Sequence, residues 1–219
     1  MAFANPAAPN VIDFSVFVLN QGVPSQDLPT GTLATVGIAA SGAITAASAA
    51  GTVAAGMAVV GPGIGSNTFL TAWNSGALSG TVIPAPAATV ETAGANVISP
   101  YLQWAFDIAI GVALVPPSNM PPIAYVLAVY NLGMHQLLKI GQDLVGQSFF
   151  AQQRALFKML TFQAGPVAAS ADQSTSTTLV TADFIKGLTM QGLDLLNTPW
   201  GREYLAYAQS YGPNIVGVS

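Results

Sequence analysis

Between residues 99 and 142 the apolar positions recur at helical spacing. Ile123, Val126, Leu127, Tyr130, Met134, Leu137 and Leu138 follow i, i+3, i+4, i+7, while Asn131, His135, Lys139 and Gln142 form a narrow polar stripe beside them. The preceding stretch is apolar nearly all round, and only Gln103 and Asp107 interrupt it. The pattern predicts two helices joined by a proline-rich turn. Ser99 would cap the first, with Pro100 at the first helical position, where a missing N–H costs nothing. Pro116 and Pro117 would end it, and Asn119 would cap the second. A helix apolar on nearly every side must be covered on most of them. A chain of this size has limited core to offer. Part of that surface, including Ile108 and Ile110, is therefore expected at contacts with other subunits.

The period changes upstream. Residues 1–10 read as a loose arm, and residues 11–20, VIDFSVFVLN, as a β-branched and aromatic strand. Residues 31–98 hold short runs of Thr, Val, Ile and Ala punctuated by glycine, with one acid, Glu91, and no base. Strands are expected at 32–38, 43–47, 56–60, 68–73, 80–83 and 89–92. Turns fall at Pro62-Gly63 and Asn74-Ser75-Gly76. Ile64, Phe69, Leu70, Trp73, Val82 and Ile83 supply bulk for a small core. The fold class expected is α+β: a small helical bundle domain with an inserted small antiparallel β-sandwich or barrel. The chain divides into an N-terminal arm and strand (1–30), an inserted β-module (31–98) and a helical domain (99–219).

Downstream of the helix pair, Phe149, Gln153, Leu156 and Leu160 would line one face of a third helix. A polar Ser/Thr loop follows, ending near a strand-like TLV, and Asp183 would cap a short helical turn running to Met190. The last helix is expected to start with Thr198 as cap and Pro199 at its first position, and to stop at Gly212-Pro213. Trp200, Tyr204, Tyr207 and Tyr211 share one of its faces at i, i+4, i+7 and i+11. Beyond it Asn214, Ile215, Val216, Gly217, Val218 and Ser219 form an uncharged, β-branched segment. It is suited to docking on a partner by adding a strand to an exposed sheet edge.

Composition narrows the function. Charged residues are 6% of the 219, against the roughly 25% usual in soluble domains. That is too few for a solitary protein with a solvated surface and fits a membrane protein, a secreted β-protein or a subunit of a large assembly. A net charge of −4 without a basic cluster argues against specific nucleic-acid binding. With no cysteine, disulfides and thiolate metal sites are excluded. The N-terminus lacks the pattern of a secretory signal, and no run resembles a membrane span. The single histidine, His135, with scattered acids gives no metal-ligand spacing, and it reads as a hydrogen-bonded structural residue. The segment 61–66, GPGIGS, lacks the lysine of a phosphate loop and reads as a turn. No catalytic residue, metal or cofactor is expected.

Two segments carry a resemblance. The β-module, GTVAAGMAVVGPGIGSNTFLTAWNSG followed by GTVIPAPAATV, is similar to Gly/Thr-rich modules of phage structural proteins and bacterial surface proteins. AYVLAVYNLGMHQLLK, and then SADQSTSTTLVTADFIKGLTMQGLDLLNTPWGREYLAYAQSYGP, resembles the head–tail connector, or adaptor, proteins of tailed bacteriophages. That family closes on a TPYG-x-x-YL signature, here Thr198-Pro199-Trp200-Gly201-Arg202-Glu203-Tyr204-Leu205, with Trp200 in place of Tyr. The resemblance covers residues 99–219, and the β-module departs from it as an insertion. It implies a structural, non-enzymatic virion protein of the neck, present in the host cytoplasm during assembly. The implied partners are copies of itself in a homo-oligomeric, twelve-fold ring, the portal protein, on which residues 214–219 would dock, and a tail or nozzle protein. Fibre proteins would be reached through the β-module, and DNA would pass through the ring. The alternative is a virion or surface protein whose β-module binds a host-surface glycan, for which Trp73 and Asn74 are the candidate pair.

Overall fold

The computed structural model describes residues 3–113, 118, 120–160, 169–172, 175–178 and 190–211. Its fold is mixed α+β, with a closed six-stranded antiparallel barrel and six helices among the described residues. The chain begins with a helix, α1 (Val11–Asn20), which corrects the expectation of a strand at 11–20. Local capping decided the outcome against β propensity. Asn10 accepts a hydrogen bond from the Asp13 N–H at 2.8 Å, and its amide donates back to the Asp13 carboxylate at 2.7 Å. That reciprocal pair satisfies the helix start. The buried positions Val11, Phe14, Phe17 and Val18 are also spaced for a helix and not for alternation.

The barrel follows, from β1 (Thr30–Ile38), β2 (Ala43–Gly51), β3 (Ala58–Val60), β4 (Phe69–Asn74), β5 (Ser79–Ile83) and β6 (Val90–Ile98), in the order β1-β2-β5-β4-β3-β6. All six expected strands are present, and β2 and β6 run longer than their sequence pattern. Leu33, Val36, Ile38, Ile44, Met57, Val59, Leu70, Val82, Ala95 and Val97 fill the interior. In β1 the inward positions shift from Leu33 to Val36, skipping two residues. Thr35 supplies the shift with φ 44 and drops out of pairing with both neighbouring strands. The strands that enter and leave the barrel are adjacent, since Thr30 pairs with Ile98.

The helices make a second core. α2 (Pro100–Val112) and α3 (Pro122–Ile140) pack on α1 around Tyr130. The rings of Phe3, Phe14, Phe17 and Phe106 lie 5.3, 5.7, 5.7 and 6.4 Å from that of Tyr130. Its hydroxyl accepts from the Asn10 N–H and donates to the Asn10 carbonyl, both at 3.1 Å. Burial pushes the Tyr130 phenol up to about 12. Ala58 and Ile98 of the barrel belong to this helical core, so the two cores meet at the barrel's foot.

Ser99 stands at the N-cap of α2 but makes no side-chain capping bond. The N-cap position of α3 is Pro121. Asn119, Pro116 and Pro117 lie outside the described residues. α4 (Phe149–Leu156) is shorter than expected and turns a different face inward. Phe150 is fully buried, whereas Leu156 and Leu160 are exposed. Asp143 sets that rotation by accepting from the Phe150 and Ala151 N–H groups at 2.7 and 2.9 Å. Part of the expected polar loop is a two-stranded ladder, β7 (Ala169–Asp172) with β8 (Thr175–Thr178). The turn capped by Asp183 lies outside the described residues, apart from Met190, which opens α5 (Met190–Leu195). The last helix, α6 (Pro199–Tyr211), packs against α3.

Candidate functional site

The polar stripe on α3 meets α5 and α6 at one point. His135 is fully buried, as is Thr198. His135 Nδ1 lies 2.8 Å from Thr198 Oγ1, and Nε2 lies 3.3 Å from Asp194 Oδ2. Lys139 Nζ donates to the same carboxylate oxygen at 2.5 Å. Burial pushes the Asp194 carboxyl up, but the Lys139 ammonium and the His135 ring more than offset it and hold it below the usual carboxylate range. Burial likewise pushes the His135 imidazole down, against the pull of Asp194. A carboxylate only accepts, so the neutral ring carries its proton on Nε2. Nδ1 then accepts from the Thr198 hydroxyl, whose oxygen accepts from the Gly201 N–H at 3.0 Å.

Hydroxyl, imidazole and carboxylate thus stand in the order of a hydrolase triad. Here, however, neither His135 nor Thr198 has surface from which to meet a substrate, and the hydroxyl is engaged as the cap of α6. The arrangement ties the start of α6 to the middle of α3. Gly201 adds to the closeness: a Cβ there would stand 2.1 Å from the Leu195 carbonyl oxygen. Sequence reading found Thr198 as a cap and His135 as structural. It missed Asp194, whose separation from His135 by 59 positions leaves no local signal.

The aromatic stripe of α6 is brought together on the helical core. Tyr204 is buried, and Trp200, Tyr207 and Tyr211 are half-buried against the same cluster. Trp200 stacks edge-on with Phe157 at 5.9 Å and donates from Nε1 to Gln21 Oε1 at 3.1 Å. Ile108 and Ile110 lie elsewhere, on α2, 37% and 43% exposed; two positions apart on a helix, they point to nearly opposite sides of it. Trp104, one turn before Ile108, is 44% exposed, and Ile123 on α3 is 43% exposed. Asn214, Ile215, Val216, Gly217, Val218 and Ser219 lie outside the described residues.

The other candidates resolve into local structure. Trp73 packs against the barrel core. Asn74 accepts from the Gly76 and Ala77 N–H groups in a turn. Residues 61–66 make a turn, in which the Ile64 N–H donates to the Gly61 carbonyl. Among the described residues no group of His, Cys, Asp and Glu is arranged to hold a metal ion, and no helix is long and apolar enough to cross a membrane. A cavity of about 180 Å³ between Ile38, Thr68 and Pro84 is below the few hundred Å³ of ordinary ligand sites. A larger groove, about 340 Å³, runs between α1 and the barrel's foot, lined by Ile12, Val16, Leu19, Thr32, Ala50 and Ile98 among others.

No known protein family, no curated protein and no solved structure matches this chain.

Proposed function

We propose that this chain is a structural subunit of a tailed-phage neck, forming the homo-oligomeric connector ring between portal and tail. The observation that carries the reading is the exposed apolar side of α2. Trp104 and Ile108, one turn apart on the same face, stay outside the core in a chain with 6% charged residues, and interfaces between permanent subunits resemble a core cut in half. The resemblance to connector proteins supplies the location. Its two segments, on α3 and at the start of α6, are held together by the His135–Thr198 bond, which is support for reading them as one signature.

On this proposal the helices form the ring-building bundle domain, and the barrel is an insertion displayed from it. The pairing of Thr30 with Ile98 supports that reading, because an inserted module must enter and leave at one place. The portal and a tail or nozzle protein are the partners above and below, fibre proteins dock on the barrel, and DNA passes through the ring without sequence-specific contact. The subunit works in the virion neck after assembly in the host cytoplasm. Gold-labelled antibody against the barrel, applied to particles that carry this protein, tests the location. Label at the junction of head and tail is expected; label confined to fibre tips or to the capsid surface would overturn it.

A further inference from the structure

Closure of the barrel leaves one edge open. β2 pairs with β1 from Ile44 to Gly51, but with β5 only from Ala43 to Thr45. Among the described residues, the Ala46 N–H donating to the Leu78 carbonyl at 2.9 Å is the last backbone bond on the β5 side. Residues 47–51 are all exposed. Natural proteins blunt such edges with lysine, proline or a bulge. Here the sequence is Ala47-Ser48-Ala49-Ala50-Gly51, with no charge, no proline and no β-branched side chain to obstruct an incoming strand. Ala and Gly also have low strand propensity, so this end of β2 gains from a second partner.

The edge runs into the groove beside α1. Ala50 and Gly51 line that groove together with Ile12, Val16 and Leu19, and Val16 and Leu19 are 42% and 38% exposed. An occupant that continues the edge therefore needs an extended backbone and apolar side chains at its far end. The segment 214–219, NIVGVS, has both: it is uncharged, and Ile215, Val216 and Val218 are β-branched. As a strand it would place Val216 and Val218 on one face, and at about 3.3 Å per residue it would cover the whole edge.

We propose that residues 214–219 of one copy add as a strand to residues 47–51 of β2 in the next copy, with the Val216/Val218 face seated in the α1 groove. This rests on the ring reading and names one of its contacts. Such a contact is heterologous, tail of one subunit to edge of the next, and repeats head to tail around a closed ring. Pairing of two β2 edges would instead be two-fold and would end at a dimer.

The absence of cysteine makes a direct test available in the full-length chain. Ser48→Cys is combined in turn with Ile215→Cys, Val216→Cys and Val218→Cys, so that at least one register brings the pair within disulfide range. Each protein is oxidised, then examined by denaturing gel and, separately, by negative-stain imaging. The expected result is a ladder of intermolecular crosslinks in at least one pairing, its loss when Val216→Pro is added to a pairing that keeps both cysteines, and rings in the images. Rings without crosslinks would overturn the strand addition and leave the ring reading standing. A crosslink within single chains, or a dimer formed by Ser48→Cys alone, would overturn it in favour of self-docking or edge pairing. A ladder without closed rings would support the strand addition and count against the ring.

Discussion

Protonating His135 would disrupt the junction between α3 and α6, because Nδ1 would lose its role as acceptor for the Thr198 hydroxyl. Burial holds the folded imidazole below its ordinary value of 6.5, so the unfolded chain binds more protons in the interval between the two. The stability from this group is therefore present above 6.5 and lost as pH falls through the folded value. Thermal unfolding followed by circular dichroism should show Tm falling as pH drops below 6.5, with a smaller fall in His135→Gln. Asp194 acts in a separate, lower window: its stabilisation is present above 3.8 and lost below it. Asp27 has the opposite sign. Both its carboxylate oxygens are buried without a partner among the described residues, and burial, aided by the Asp143 charge, raises its folded value above 3.8. Charging it costs stability at neutral pH, so Asp27→Asn should unfold at a higher Tm than wild type at about pH 7.5. The gain should vanish once pH falls below 3.8, where both states are protonated. Thr198 was legible in the sequence because a cap is a local motif. Asp194 and Asp27 were not, since partnership and its absence are set by chain segments that meet only in the fold.

At the scale of elements, the seam between α1 and α3 depends on Gly133. A Cβ there would stand 2.9 Å from two ring atoms of Phe14, which is itself fully buried. Gly133→Ala forces that ring to shift in a packed core, at a cost of about 1–3 kcal/mol, even though alanine is the better helix former. Denaturant unfolding should report a lower midpoint with an unchanged slope. The sequence hides this seam, because α1, residues 11–20, reads locally as a strand. Its Val, Ile and Phe content favours β structure locally, whereas the Asn10–Asp13 cap and the tertiary fit of Phe14 against Gly133 decide for helix. The barrel strands were legible because glycine and proline mark each turn. The extra length of β2 and β6 was not: Ser48 to Gly51 carry no periodic signal and are strand through pairing with β1, and the end of β6 is strand through pairing with both β1 and β3. In α4 the apolar face was misassigned, because the Asp143 bonds to the helix start set its rotation.

For the whole molecule, two cores meeting at the barrel's foot account for the described fold without covering α2's outward side. That face was legible in the sequence as an excess of apolar surface; which residues would remain outside became clear only once α1 and α3 had taken their share. Ile108 is partly exposed in the single chain, so Ile108→Asp should leave it folded, with an unchanged far-ultraviolet circular dichroism spectrum, while placing an unpaired charge in any subunit contact made there. The mass of the purified native protein in solution, compared with that of Ile108→Asp, tests the ring most directly. The account predicts a single closed oligomer, seen as rings in negative stain, for the wild type and a folded monomer for the variant. A wild-type protein that remains a stable monomer at assembly-like concentration, or a variant that assembles as well as wild type, would contradict it.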